Sequence, residues 1–73
     1  MKKSDLKDGY LLTLLCGSQF YVCGKFGLHN REPDRLWLDK FNEDLTYQPA
    51  CDPPQAYDVV EVCYSGVSLW RRN

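Results

Sequence analysis

Tyr10-Leu11-Leu12-Thr13-Leu14-Leu15-Cys16-Gly17-Ser18-Gln19-Phe20-Tyr21-Val22-Cys23-Gly24-Lys25-Phe26 is the stretch that decides the fold. Tyr10 to Leu15 reads as a strand, with four leucines around Thr13. Gly17 supplies the positive φ that a two-residue hairpin turn needs. Cys16-Gly17 is therefore the expected turn and Gln19 to Phe26 the return strand. With that turn Leu15 faces Ser18, Thr13 faces Phe20 and Leu11 faces Val22. Side chains alternate between the two faces of a strand. One face then carries Leu11, Thr13, Leu15, Phe20 and Val22, and the other Tyr10, Leu12, Leu14, Tyr21 and Cys23. Both faces are apolar enough to be covered, which favours a strongly curled sheet or small barrel over a flat open one.

Outward from the hairpin, Ser4-Asp5-Leu6-Lys7-Asp8-Gly9 reads as one capped turn before the first strand. Gly24, Gly27, Asn30 and Pro33 mark a loop. Arg35 to Asp39 is a third short strand, with Leu36 and Leu38 on one face and Trp37 on the other. Lys40 to Leu45 suits a single helical turn, with Leu45 as an inward anchor. Pro49, Pro53 and Pro54 make residues 48–56 a stiff, irregular loop. Tyr57 to Tyr64 is the clearest strand, because β-branched Val59, Val60 and Val62 flank Glu61. Val60 and Val62 are its expected core residues. Ser65-Gly66 is a turn, and Val67 to Trp70 a final strand. The expected fold is mainly β. It is a small five-stranded, strongly twisted SH3-like barrel or half-barrel with one or two short helical turns, forming a single domain over residues 1–73.

The 73 residues are 44% hydrophobic and include 3 Phe, 5 Tyr and 2 Trp. A chain this short buries only about 60% of its unfolded surface. A net charge of −1 argues against a general nucleic-acid binder, whose phosphate contacts need a basic surface. It argues equally against an acidic mimic of DNA. No apolar run approaches the roughly 18–20 residues of a membrane span. Met1-Lys2-Lys3-Ser4-Asp5 turns acidic at once and carries no signal-peptide apolar region. The expected location is the cytoplasm of the cell that makes the protein.

Four cysteines, Cys16, Cys23, Cys51 and Cys63, contain no Cys-x-x-Cys pair. Three states stay open for them: free thiols, a zinc site or a disulfide. The zinc site would use Cys23, Cys51 and Cys63, with Cys16 or His29 as fourth ligand. Zinc suits a domain short of core, because its binding free energy becomes folding free energy. Cys16 and Cys23 stand at opposite ends of one hairpin, too far apart at roughly 3.3 Å per residue to share a metal. Otherwise His29 reads as a solvated loop residue. It has no serine or cysteine partner in a catalytic spacing, so no catalytic residue is identified and no enzyme is expected. Asp39, Glu43, Asp44 and Asp58 could gather for metal or acid–base work. The Asn42–Thr46 string is turn-like, however, and suits capping of backbone N–H groups by Asp39 and Asp44. Trp37 lies between Arg35 and Asp39, and Trp70 precedes Arg71 and Arg72. Each tryptophan is either core or an interface anchor, since Trp, Tyr and Arg dominate binding hot spots. Trp70 is the better anchor, being three residues from the end. The acidic turn at Glu43 and Asp44 is the next contact surface.

Lys3-Ser4-Asp5-Leu6-Lys7-Asp8-Gly9, Asn42-Glu43-Asp44-Leu45-Thr46 and Tyr57-Asp58-Val59-Val60 span nearly the whole chain. In this pattern the chain resembles a group of very small phage- and prophage-encoded proteins of low-GC Gram-positive bacteria. Lys-Ser-Asp-Leu-Lys-x-Gly, Asn-Glu-Asp-Leu-Thr and Tyr-Asp-x-Val recur there in that order. The resemblance implies a small protein-binding inhibitor of a host-defence enzyme. Its most concrete form is an anti-CRISPR protein acting on a type II Cas9. The alternative is an SH3-like nucleic-acid-associated module of phage or prophage origin, supported by Lys2-Lys3 and by Trp70-Arg71-Arg72.

Overall fold

A computed structural model describes all 73 residues. Six short strands lie in one antiparallel sheet: β1 (Leu11–Leu14), β2 (Gln19–Cys23), β3 (Phe26–His29), β4 (Arg35–Trp37), β5 (Val59–Tyr64) and β6 (Val67–Arg71). Their order across the sheet is β4-β3-β2-β1-β5-β6. Two 3-10 turns, Lys3–Asp5 and Leu38–Lys40, are the only helical pieces. The chain is thus mainly β with two short helical turns, as the sequence leads one to expect. The strand count is six because Phe26–His29, which lies mostly in the expected loop, folds back on β2 at Gly24, φ 61°, and pairs with it as β3. The sheet is open, with β4 and β6 as its edges. The inner face is closed off by the irregular segment 38–58 instead of by barrel closure.

The hairpin register differs by one residue from a two-residue turn. Leu12 pairs with Phe20 and Thr13 with Gln19. The loop is Leu15-Cys16-Gly17, closed by the Gly17 N–H on the Leu14 carbonyl and the Leu14 N–H on the Ser18 carbonyl, both 2.9 Å. Gly17 takes φ 95° there, the left-handed position of a three-residue hairpin loop. A one-residue change of register moves a strand's side chains to the other face relative to its partner. Leu12, Leu14, Phe20 and Val22 therefore share the buried inner face, while Leu11, Thr13, Tyr21 and Cys23 share the outer one.

The core joins that inner face to Leu36, Val59 and Val62 of the sheet and to Leu38, Phe41 and Leu45 of the covering segment. Val62 is fully buried, as its position in the strand suggests, but Val60 is only half-buried. A register shift between Thr13 and Leu14 brings Val59 opposite Leu14 and gives it the inward place expected for Val60.

The covering segment does not form a helical turn over Lys40–Leu45. The 3-10 turn ends at Lys40, and the chain reverses over Asn42–Thr46, with the Asn42 N–H on the Thr46 carbonyl at 2.8 Å. Leu45 takes a left-handed φ of 69°, is fully buried, and accepts the Val59 N–H at 3.0 Å. That conformation costs a non-glycine residue on the order of 1 kcal/mol, and burying a leucine contributes roughly 1.5–3 kcal/mol, so burial wins. Ties from three parts of the chain hold the cover down. The Lys3 ammonium donates to the Phe41 carbonyl at 3.0 Å and the Lys3 N–H to the Glu43 carbonyl at 2.8 Å. The Tyr47 N–H donates to the Asp58 carboxylate at 2.8 Å. The Arg72 guanidinium donates to the Val59 and Asp44 carbonyls at 3.0 and 2.8 Å. No helix is long and apolar enough to cross a membrane.

Candidate interaction surface

The pairing register sets side chains in rows across the outer face. Arg35, Leu28, Tyr21, Leu11 and Cys63 form one row, crossing from β4 to β5. Trp37, Phe26 and Cys23 form a second beside it. A third row is polar. Asn30 donates to the Gln19 side chain at 3.2 Å and Gln19 to the Thr13 hydroxyl at 3.1 Å. Farther along that row Arg71 pairs with Glu61 at 2.7 Å. An apolar band two rows wide is thus bordered by a hydrogen-bonded polar ladder.

Nothing covers this band. Trp37 is 49% exposed, Tyr21 46% and Leu28 38%. The Trp37 and Phe26 rings stand 4.2 Å apart, and the Arg35 guanidinium lies 5.5 Å from the Phe26 centroid. A sheet face normally buries such side chains against another layer. Contiguous exposed apolar surface rimmed by polar groups marks an interaction site, and Trp, Tyr and Arg are the residue types that anchor one.

The contact residues suggested by the sequence do not form one surface. Trp37 stands on the apolar band. Arg71 stands on the outer face, but its guanidinium is paired with Glu61 and holds that carboxyl below its ordinary range. Trp70 points inward, opposite Val62, half-buried against the core, with the Arg72 guanidinium 5.0 Å from its ring centroid. Its nearness to the chain end does not free it, because the Arg72 N–H is bonded to the Val60 carbonyl at 2.8 Å. Glu43 and Asp44 lie exposed in the covering turn, away from the band. The Asp44 carboxylate accepts the Thr46 hydroxyl and N–H, which lowers its pKa.

The zinc ligand set does not assemble. No three His, Cys, Asp or Glu side chains come together in a way that could hold a metal. Cys16 lies in the β1–β2 loop, Cys23 at the far end of β2, Cys51 in the proline-rich loop and Cys63 on β5, all four as free thiols. Burial first, then the neighbouring Glu61 carboxylate, pushes the Cys63 thiol above its ordinary value of 9.0. His29 is not a solvated loop residue. It ends β3, half-buried, with its ring edge-on to Phe20 at 5.1 Å. Its Nδ1 accepts the Arg31 and Glu32 N–H groups, both at 3.1 Å, and is thereby occupied. Of the four carboxylates, Asp44 caps a backbone N–H group as expected, whereas Asp39 caps none and Asp58 caps one instead.

Tyr21, Leu28, Phe26 and Leu11 went unrecognised as surface candidates in the sequence. The signal for Tyr21 and Leu11 was the apolar character of both hairpin faces, whereas Phe26 and Leu28 stand on β3, which the sequence had placed mostly in a loop. No family model matches this chain, and no curated protein or solved structure matches it either.

Proposed function

We propose that this chain works by occupying a surface on another protein, as a small phage-encoded inhibitor of a host-defence enzyme. The observation that carries this role is the band on the outer face of the sheet, where Trp37, Tyr21 and Leu28 are exposed beside half-buried Phe26 and Leu11. A net charge of −1 gives no long-range pull on a partner, so affinity must come from local shape and buried aromatics. Fully burying one large apolar side chain contributes about 1.5–3 kcal/mol, whereas association costs at least about 4 kcal/mol. Trp37 alone is therefore insufficient. Tyr21 and Leu28 must be covered with it, which calls for a partner surface shaped to the whole band.

The concrete form of this role, an anti-CRISPR protein bound to a type II Cas9, comes from the resemblance of the Lys3–Gly9, Asn42–Thr46 and Tyr57–Val60 strings to phage proteins. Three of the four basic residues that would favour a nucleic-acid module are engaged within the molecule. Lys3 is on the Phe41 carbonyl, Arg71 on Glu61, and Arg72 on the Val59 and Asp44 carbonyls. Incubation of the purified chain with a Cas9–guide complex tests the proposal. Stoichiometric co-elution and lost DNA cleavage support it. Salt-sensitive retention of nucleic acid without any protein partner supports the module instead.

A further inference from the structure

A second site opens where the covering segment meets the ends of β2, β3 and β4. It is a cleft of about 380 Å³, at the small end for a ligand site. Phe20 and Leu36, both core residues, form its floor. Tyr47 and Tyr57 line it with rings 5.2 Å apart at 70°. Glu32 and Asp34 stand exposed at its rim.

The two rim carboxylates make no salt bridge. Arg35 borders the cleft, but its guanidinium lies over the Phe26 ring on the outer face. The one salt bridge of the chain joins Arg71 to Glu61, so neither Glu32 nor Asp34 is paired. Aromatic faces attract a cation through the ring quadrupole, and the two carboxylates add Coulomb attraction. The apolar floor needs a hydrocarbon stem to fill it, which a bare metal ion lacks.

We propose that this cleft takes an aliphatic chain ending in a cation, the chemistry of a lysine side chain carried by a partner protein. The site stands apart from the outer face and does not rest on the role of the apolar band.

Amide chemical-shift titration of the full chain tests the assignment, with N-acetyl-lysine methylamide as probe and N-acetyl-norleucine methylamide as its uncharged counterpart. The lysine amide is expected to give saturable shifts at Phe20, His29, Tyr47 and Tyr57. The norleucine amide should bind at least about fivefold more weakly. The Glu32→Gln/Asp34→Asn variant should lose the lysine preference while leaving the rest of the spectrum in place. Asparagine keeps the oxygen that accepts the Arg35 N–H. Tyr57→Leu, at a residue 40% exposed, should weaken lysine binding independently. Equal binding of the two probes, an absence of saturation in the millimolar range, or an undiminished lysine preference in the double variant would overturn the proposal.

Discussion

The Asp58 carboxylate accepts the Tyr47 backbone N–H at 2.8 Å, and this bond fastens the covering segment to the start of β5. Tyr47 in turn packs edge-on against Phe41, with centroids 5.1 Å apart, and Phe41 is fully buried. Asp58→Ala leaves the Tyr47 N–H without its acceptor and should cost about 1–3 kcal/mol. Asp58→Asn keeps an oxygen in place and should recover most of that loss. Thermal melts of the three proteins decide. An alanine variant that melts with the parent would mean that the cover is held without this bond.

Leu45 offers a sharper test of backbone and burial together. It is fully buried at φ 69°. Leu45→Ala should cost roughly 2–5 kcal/mol in urea unfolding. Glycine is normally worse than alanine within regular structure, but it accepts a left-handed φ freely. Leu45→Gly should therefore be no less stable than Leu45→Ala. The reverse order would show that the left-handed conformation is not retained.

The hairpin, the β5 strand, the shared face of Leu36 and Leu38 and the inward anchor Leu45 were legible in the sequence, because alternation and β-branching act over a few residues. The Ser65-Gly66 turn was equally plain. Strand β3 and the non-helical turn at Asn42–Thr46 escaped, and so did two single-residue changes of register. A three-residue loop at Leu15-Cys16-Gly17 and a shift at Thr13/Leu14 change which residues face inward, and neither leaves a compositional mark. The apolar band was half visible. The hairpin carries apolar residues on both faces, and covering both implied a curled barrel. In the structure the segment 38–58 covers one face and leaves the other open. The cysteines illustrate the remaining gap, since no spacing in a chain fixes which distant thiols meet in space.

Acid should remove stability through two carboxylates, exposed Asp44 and half-buried Glu61. Hydrogen bonds from Arg71 lower the Glu61 pKa below 4.5, and the Thr46 hydroxyl and N–H lower that of Asp44 below 3.8. A folded-state pKa below the unfolded one means that the unfolded chain takes up the proton first. The contribution of these groups is complete above those ordinary values and is lost as pH falls through the lowered ones. Glu61→Gln/Asp44→Asn should therefore flatten the fall in melting temperature on acidification below about pH 4.5. An unchanged acid limb would contradict the assignment.

The four thiols should differ in reactivity. Cys16 and Cys23 are exposed, while Cys63 is half-buried with its pKa raised. The thiolate is the reacting form. At neutral pH Cys16 and Cys23 should label first with a thiol reagent and Cys63 more slowly, as peptide mapping by mass spectrometry would show. Labelling of Cys63 ahead of Cys23 would contradict the burial described for β5.

Trp70 and Trp37 should separate stability from binding. Trp70 packs against the core under Arg72, so Trp70→Ala should lower the melting temperature, at a cost near the roughly 3–5 kcal/mol of a buried aromatic or somewhat below it. Trp37 is 49% exposed, and Trp37→Ala should leave the melt within about 1 kcal/mol of the parent. A tryptophan variant that melts in the opposite order would place the wrong residue on the outer face.

Retention of a host protein by the tagged chain, compared between the parent and Trp37→Ala in the same lysate, tests the role of the outer face most directly. The account predicts one stoichiometric host protein on the parent. It predicts an affinity loss of more than about 2 kcal/mol, some thirtyfold, on the variant with its fold intact. Equal retention by the two proteins, or no host protein on the parent, would contradict it.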